Sequence, residues 1–232
     1  MAIKNQVPNK QMEEIRKHHN AIKRHLIQNA TRQGMKVLDV GCGCGGDLQK
    51  WKYSAPSILD MCDPSEESLE EARSRSNNLK INANFYLGTV FNCPNTQYDI
   101  ICYNFSLHYI FESTKTFFDS IRAIRDRLKP GGRLIGIIPD SDSILFCTPF
   151  KDNLGNFLSR GSNTGQGNIG EKIFVFLSDT PYYKEGPKAE PLAYRDLLIT
   201  HLEHIGIHLE SWKPLNGTEL SQMYSQFIFI RK

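Results

Sequence analysis

Two stretches of this sequence concentrate side chains that could do chemistry. The first, Val37-Leu38-Asp39-Val40-Gly41-Cys42-Gly43-Cys44-Gly45-Gly46, sets a carboxylate two residues ahead of a glycine series. Gly41, Gly43 and Gly45 let the backbone turn tightly and approach a ligand ahead of a helix N-terminus. With Gly46 the series also reads G-x-G-x-x-G, so the glycines alone admit a dinucleotide. Asp39 shifts the balance, because a carboxylate there repels a pyrophosphate and attracts an α-ammonium group. S-adenosylmethionine has that ammonium and no phosphate; a nicotinamide dinucleotide has the reverse. Asp63, 22 residues beyond Gly41 at the end of the next expected strand, is placed to accept both hydroxyls of a ribose. Asp60, inside the same strand, is the alternative acid.

The second stretch is Asn104-Phe105-Ser106-Leu107-His108-Tyr109-Ile110-Phe111-Glu112-Ser113. It follows Ile100–Tyr103, which reads as a buried strand. A helix packed on that strand would open with a polar cap and continue with apolar spacing. Here aromatic rings and an imidazole gather at the strand end instead. By residue type alone Phe111 reads as core, and Phe105 could be core too. His108 alone reads as a hydrogen-bonded structural histidine.

The elements that must position these groups alternate. Residues 9–33 have helical spacing (Ile15, Ala21, Ile22, Leu26, Ile27) with basic residues elsewhere. Strands are expected at 35–41, 57–63, 83–88, 98–104 and 133–139. Helices are expected from 45, over 65–79 with Ser65 as N-cap, and over 113–129, where Pro130-Gly131-Gly132 stops the last. Strand–helix alternation with short connections predicts an α/β, doubly wound, mainly parallel sheet. From Asp140 to Pro187 the rhythm breaks: a polar, glycine-rich run is followed by a strand at 173–179, which reads as an insertion carrying a mobile loop. A helix over 194–206 and two closing, antiparallel strands, 207–212 and 226–232, complete the chain. The division is one domain, 1–232, in four parts: a basic helical segment (1–35), a cofactor-binding core (36–139), the insertion (140–190) and the closing elements (191–232).

The 232 residues, 40% of them hydrophobic, can bury a substantial core. Net charge is only +3, but Met1 to Lys36 holds eight Lys or Arg against two Glu. That suits an anionic partner such as RNA, although a solvated basic helix is the commoner reason for such a run. Six cysteines without C-x-x-C or a zinc-spaced histidine pair point to a reduced intracellular protein with no disulfide and no metal. No apolar run approaches the roughly 20 residues of a membrane span, so a cytoplasmic or nuclear protein without a membrane partner is expected.

Four segments together resemble one family, the mRNA cap guanine-N7 methyltransferases: His19-Asn20-Ala21-Ile22-Lys23-Arg24-His25-Leu26-Ile27, the stretch from Val37 to Trp51, the stretch from Asn104 to Ser113, and the stretch from Leu128 to Ser141. They span about 120 residues. The first and third are the specific matches; glycine loops of the second kind occur in all related methyltransferases. The chain also resembles the methyltransferase portion of the large capping enzymes of cytoplasmic DNA viruses, which would place it in a virion or viral factory.

The resemblance implies a Rossmann-like class I S-adenosylmethionine-dependent methyltransferase sheet with an N-terminal helix and a cap-binding insertion. It implies Lys23 at the donor's carboxylate, Asp39, Gly41, Gly43 and Asp47 at its methionine end, Asp63 at the ribose, and Asn104 and Ser106 lining the donor pocket. Phe105, His108, Tyr109, Pro139, Glu190 and Tyr224 would surround the cap guanine, Asn20 would contact the cap, and Arg75 would face its triphosphate. Capped RNA is the implied substrate, other capping domains or subunits are implied partners, and S-adenosyl-L-homocysteine is the implied product. Two positions depart from the family: Cys44 stands where Lys is usual between the glycines, and Thr89 where an Asp usually meets the adenine. Without the resemblance, Lys23 would be read as solvated, Glu190 as a surface-loop carboxylate and Tyr224 as packing. A small-molecule methyltransferase and a non-catalytic RNA-binding module are the rival functions, and a nicotinamide oxidoreductase comes last.

Overall fold

Val37 and Leu38 are neighbours in sequence but belong to two different cores, one on each face of a central sheet. Ile100 and Ile101 divide in the same way, as do Leu134 and Ile135. Strand side chains alternate faces, so a near-continuous apolar run must be covered on both sides. The computed structural model describes residues 9–161 and 169–232. Residues 162–168 of the expected mobile loop lie outside the described residues, as does Lys4 of the basic segment.

In chain order, α1 (Lys10–Ala30) precedes β1 (Lys36–Val40), α2 (Leu48–Ser54), β2 (Ile58–Asp63), α3 (Glu66–Leu79), β3 (Asn84–Leu87) and β4 (Tyr98–Asn104). A 3-10 turn over Leu107–Glu112, α4 (Thr114–Arg127), β5 (Leu128–Pro139) and α5 (Ser141–Cys147) follow. Asn9, Ser65 and Ser113 cap α1, α3 and α4 by accepting the backbone N–H of Gln11, Ser68 and Thr116 at 3.0, 3.2 and 3.1 Å. α4 ends at Leu128, already extended, two residues before the proline that the sequence offers as its stop.

The expected insertion is more ordered than its composition suggests. It contains β6 (Phe150–Lys151), β7 (Phe157–Arg160), β8 (Lys172–Phe176) and β9 (Lys188–Pro191), a four-stranded antiparallel sheet in that order. The sequence reading finds only β8, and it places no helix at α5. The Gly170 N–H donates to the Phe111 carbonyl at 2.9 Å, and Lys172 pairs with Glu112, which fastens this sheet beside the 3-10 turn.

The chain closes through α6 (Arg195–His204), β10 (Ile207–Pro214), α7 (Glu219–Gln222) and β11 (Tyr224–Arg231). The main sheet has the order β10-β11-β5-β4-β1-β2-β3. β11 runs antiparallel to both β5 and β10, and the remaining pairs are parallel. Strand order reverses between β1 and β4, so their carboxyl ends open the crevice where such sheets bind ligands.

Candidate active site

Asp39 sits near the end of β1 with its carboxylate buried, and accepts the Trp51 indole N–H at 2.8 Å. Asp47 begins α2 and is buried as well. Its Oδ1 lies 2.8 Å from Lys23 Nζ of α1 and 2.7 Å from Lys50 Nζ of α2, and its Oδ2 accepts the Asn104 side-chain N–H at 2.8 Å. Burial opposes ionisation of both acids. In Asp47 the two ammonium groups outweigh burial and hold the carboxyl below its usual range. In Asp39 burial, reinforced by the Asp47 charge, wins and pushes the carboxyl upward. The Asp47 carboxylate at the start of α2 disfavours a phosphate there, so the dinucleotide reading loses its anion site.

The glycine turn is fixed from two sides. Asp63, ending β2, accepts the Gly43 N–H at 2.8 Å on one oxygen and the Ser65 N–H at 2.9 Å on the other. Gly41 has φ +73°, and a Cβ there would lie 2.4 Å from the Cβ of Ser106. Ser106 in turn donates to the Val40 carbonyl at 2.6 Å. Over Gly43, by contrast, a Cβ would meet nothing within 4 Å, so this part of the turn faces open space.

Beyond β4 the aromatic stretch turns away from the sheet. Phe105 has φ +62°, a left-handed backbone that costs a residue with a Cβ about 1–3 kcal/mol. The Phe105 ring stands 5.3 Å from that of Tyr224 at 77°, and His19 of α1 packs 5.7 Å from Phe105 and 6.0 Å from Tyr224. Tyr224 starts β11 opposite Pro139, the last residue of β5. His108 is buried against the Tyr109 ring at 4.2 Å. Its Nε2 lies 3.3 Å from Glu190 Oε2 but out of line for a hydrogen bond, so neither ring nitrogen has a hydrogen-bond partner among the described residues. Glu190, on β9, accepts the Tyr183 hydroxyl at 2.5 Å. Burial raises its pKa, but His108 and then Tyr183 outweigh that and keep it below the ordinary range. The Tyr109 and Tyr182 hydroxyls are 2.7 Å apart, and Lys188 Nζ lies 3.9 Å from the centre of the Tyr182 ring.

The structure therefore places Lys23, Asp39, Gly41, Gly43, Asp47, Asp63, Asn104 and Ser106 around the carboxyl ends of β1, β2 and β4. It places Phe105, His108, Tyr109, Pro139, Glu190 and Tyr224 in an adjoining aromatic group. Asn20 accepts from Lys50 Nζ at 2.9 Å, on the α1 face toward α2. Arg75 stands on α3 in an ion pair with Glu71, beside Cys44. Asp60 is committed elsewhere, bound to the Tyr98 hydroxyl at 2.5 Å and the Asn84 amide at 2.7 Å. Thr89 caps a short 3-10 turn, with its N–H donating to Asn92 Oδ1 at 3.0 Å.

Sequence reading misses Lys50, Trp51's bond to Asp39, His19, Tyr182 and Tyr183. Lys50 looks like a surface lysine of a short helix, yet it is buried, and it also donates to the Gly46 carbonyl at 2.9 Å. The residues present suit a small zwitterion with a ribose. Asn104 Oδ1 is a buried acceptor with no partner among the described residues, on a side chain bonded to Asp47, and the turn at Gly43 is open beneath the Asp63 carboxylate. Among the described residues no group of His, Cys, Asp or Glu is arranged to hold a metal ion, and no helix is long and apolar enough to cross a membrane.

Solved structures share this architecture. An S-adenosylmethionine-dependent methyltransferase from Clostridium acetobutylicum superposes with a TM-score of 0.65 at 16% identity, covering 93% of this chain and 91% of that one. An N-methyltransferase from Bradyrhizobium japonicum, solved in complex with S-adenosyl-L-homocysteine, gives 0.60 at 14% identity, over 93% and 86% of the two chains. At that identity they establish the fold: the doubly wound sheet expected from the alternating strands and helices, in the Rossmann-like class I methyltransferase form that the family resemblance implies.

Sequence comparison is more specific. The mRNA (guanine-N(7))-methyltransferase domain family matches residues 3–173, and the chain belongs to it. The mRNA cap guanine-N(7) methyltransferase of Candida glabrata is 33% identical over 203 residues, covering 82% of this chain and 46% of the relative. That of Eremothecium gossypii is 33% identical over 249 aligned positions, 92% of this chain and 56% of the relative. The chain thus spans about half the length of these curated relatives.

Proposed function

We propose that this protein transfers a methyl group from S-adenosylmethionine to N7 of the guanine that caps RNA. Membership of the family supports the reaction, and one structural observation carries it. A buried Glu190, bonded by the Tyr183 hydroxyl, and a His108 with no hydrogen-bond partner among the described residues adjoin the Phe105–Tyr224 ring pair, next to the donor-type acids at the ends of β1 and β2. A small-molecule methyltransferase would share the acids and the fold, but does not need a charged carboxylate and imidazole in an aromatic pocket. Capped RNA is the proposed partner, and a cytoplasmic or nuclear location follows from that substrate.

S-adenosylmethionine, when bound, supplies an electrophilic methyl group on a sulfonium. Lys23 would hold its carboxylate, Asp39 its ammonium group and Asp63 its ribose hydroxyls. Guanine N7 already presents a lone pair, so the protein needs no general base at the acceptor. The protein's work is then placement: holding two reactants in line can contribute up to roughly 7–11 kcal/mol. Phe105, Tyr109 and Tyr224 offer ring faces, and Glu190 a full negative charge, to a purine that becomes cationic as it accepts the methyl. Glu190 can accept from both N1–H and the exocyclic amino group of guanine, a pair of donors that adenine lacks. Leaving that carboxylate unpaired rejects adenine.

The test is incubation of the protein with radiolabelled S-adenosylmethionine and RNA capped by GpppG or ApppG, followed by digestion of the product. Label in 7-methylguanosine from the first RNA alone is the expected result. Donor binding without any label would overturn the proposal.

A further inference from the structure

We propose that Tyr183 is a positioning residue that sets base specificity, by fixing Glu190 as a carboxylate with acceptors on both oxygens. The role rests on the cap reading above and concerns a residue outside the aromatic stretch and the strand that carries Glu190. Tyr183 comes from the short turn Pro181–Tyr183, ahead of β9, and its hydroxyl donates to Glu190 Oε1 at 2.5 Å. His108 Nε2, from the other side of the pocket, lies 3.3 Å from Oε2. Tyr183 therefore hydrogen-bonds one oxygen, and His108 stands beside the other without bonding it. An ionised carboxylate has about two acceptor directions per oxygen, so at least one on each oxygen stays free for guanine N1–H and its amino group.

The protonation state decides which base fits. As an anion Glu190 offers two acceptors, the complement of guanine's edge. As a neutral acid it would offer one donor and one acceptor, the complement of adenine N1 and its amino group. A tyrosine hydroxyl donating to Oε1 stabilises the first state over the second. The other groups facing Glu190 are the hydroxyls of Tyr109, Tyr182 and Tyr224 and the Lys188 ammonium, besides His108. Among the described residues the hydrogen bond to Oε1 comes from Tyr183.

The turn that presents Tyr183 is itself anchored. Fully buried Asn156 accepts the Ser178 N–H at 2.7 Å through Oδ1 and donates to Asp152 Oδ2 at 2.8 Å through Nδ2. The Tyr182 ring packs edge-on to Tyr183 at 4.9 Å. Tyr183 thus has little freedom to leave Glu190.

Binding of GpppG and ApppG dinucleotides, measured by calorimetry at pH 6 and pH 8 on the full chain saturated with S-adenosyl-L-homocysteine, tests the role. Tyr183→Phe keeps the ring and removes only the hydroxyl. The expected result is a GpppG affinity about tenfold weaker at pH 8, a larger loss at pH 6, and a smaller preference for GpppG over ApppG, with S-adenosyl-L-homocysteine affinity unchanged. In a Glu190→Gln background the same substitution should add little, because Tyr183 acts through that carboxylate. An unchanged preference and pH profile, or a full additional loss beside Glu190→Gln, would overturn the role while leaving the cap reading intact. A wild-type protein that binds S-adenosyl-L-homocysteine but no GpppG would overturn both.

Discussion

Trp51 donates its indole N–H to Asp39 across 2.8 Å, so a helix residue holds the acid of the strand before it. Both groups are buried, and the bond favours the ionised form of a carboxyl that burial drives toward neutrality. In the proposed binding mode the donor's ammonium group requires the anion. Because the folded Asp39 titrates above its ordinary range, donor affinity should fall as pH drops from 8 toward 6, and binding at the lower pH should release a proton. Trp51→Phe removes the indole donor, raises Asp39 further and moves that fall to higher pH, with affinity about fivefold weaker at pH 7. Calorimetry in buffers of differing ionisation enthalpy measures both quantities.

Asp63→Asn should weaken donor binding by about 2–3 kcal/mol while the protein stays folded. The amide keeps one acceptor for the Gly43 or Ser65 N–H but loses the charge that two backbone donors and a ribose would share. Equilibrium binding of S-adenosyl-L-homocysteine, with a circular-dichroism melt alongside, checks it; wild-type affinity would remove Asp63 from the donor site.

Arg16 on α1 donates to the Asp179 carbonyl at 2.6 Å and to its carboxylate at 3.1 Å, two residues before the turn that bears Tyr182 and Tyr183. Arg16→Ala should therefore raise KM for capped RNA a few-fold and leave donor affinity where it was. The pair is about a third exposed, so the expected loss is about 1 kcal/mol at most. Steady-state kinetics with each substrate varied separately would reveal the split.

His19 gives a stability prediction with a definite sign. Burial first, then the charges of His18 and Lys23, lower its pKa from 6.5 to about 4. Between those values the unfolded chain binds a proton that the folded chain refuses, so stability is complete above pH 6.5 and is lost as pH falls through the window. After discounting for the ring's partial exposure, the loss is about 1–2 kcal/mol. His19→Gln, still able to reach the Ser221 hydroxyl, should flatten that part of a urea-denaturation profile taken from about pH 7 to 4.5.

Legibility in the sequence followed the range of the interactions. β1, β2 and β4 are largely apolar runs that stop at Gly41, at Asp63-Pro64 and at Asn104, and α3 carries its own cap at Ser65, so local chemistry suffices to find them. The glycine turn and its flanking acids are local too. Lys50 and Tyr183 are not. Lys50 is buried only because α1, a segment 30 residues away, brings Asn20 over it. Tyr183 matters only because β9 folds back to set Glu190 against it. β6, β7 and β9 were illegible because each has two to four residues and is stabilised by its neighbours rather than by its own pattern.

The close approach of Gly41 to Ser106 joins the glycine turn after β1 to the aromatic stretch after β4. A methyl group at 41 would collide with the Ser106 side chain, and the backbone there, at φ +73°, already strains any residue with a Cβ. Ser106 follows Phe105, whose strained backbone aims the first ring of the proposed base pocket. Any shift made to accommodate a larger residue at 41 is thus transmitted through a single peptide unit to that ring. The glycine turn and the aromatic stretch therefore share this contact. Variants selected for a bulkier donor should accordingly carry their compensating changes at 105 and 106 rather than beside the donor, leaving a paired mutational signature across 65 residues of sequence.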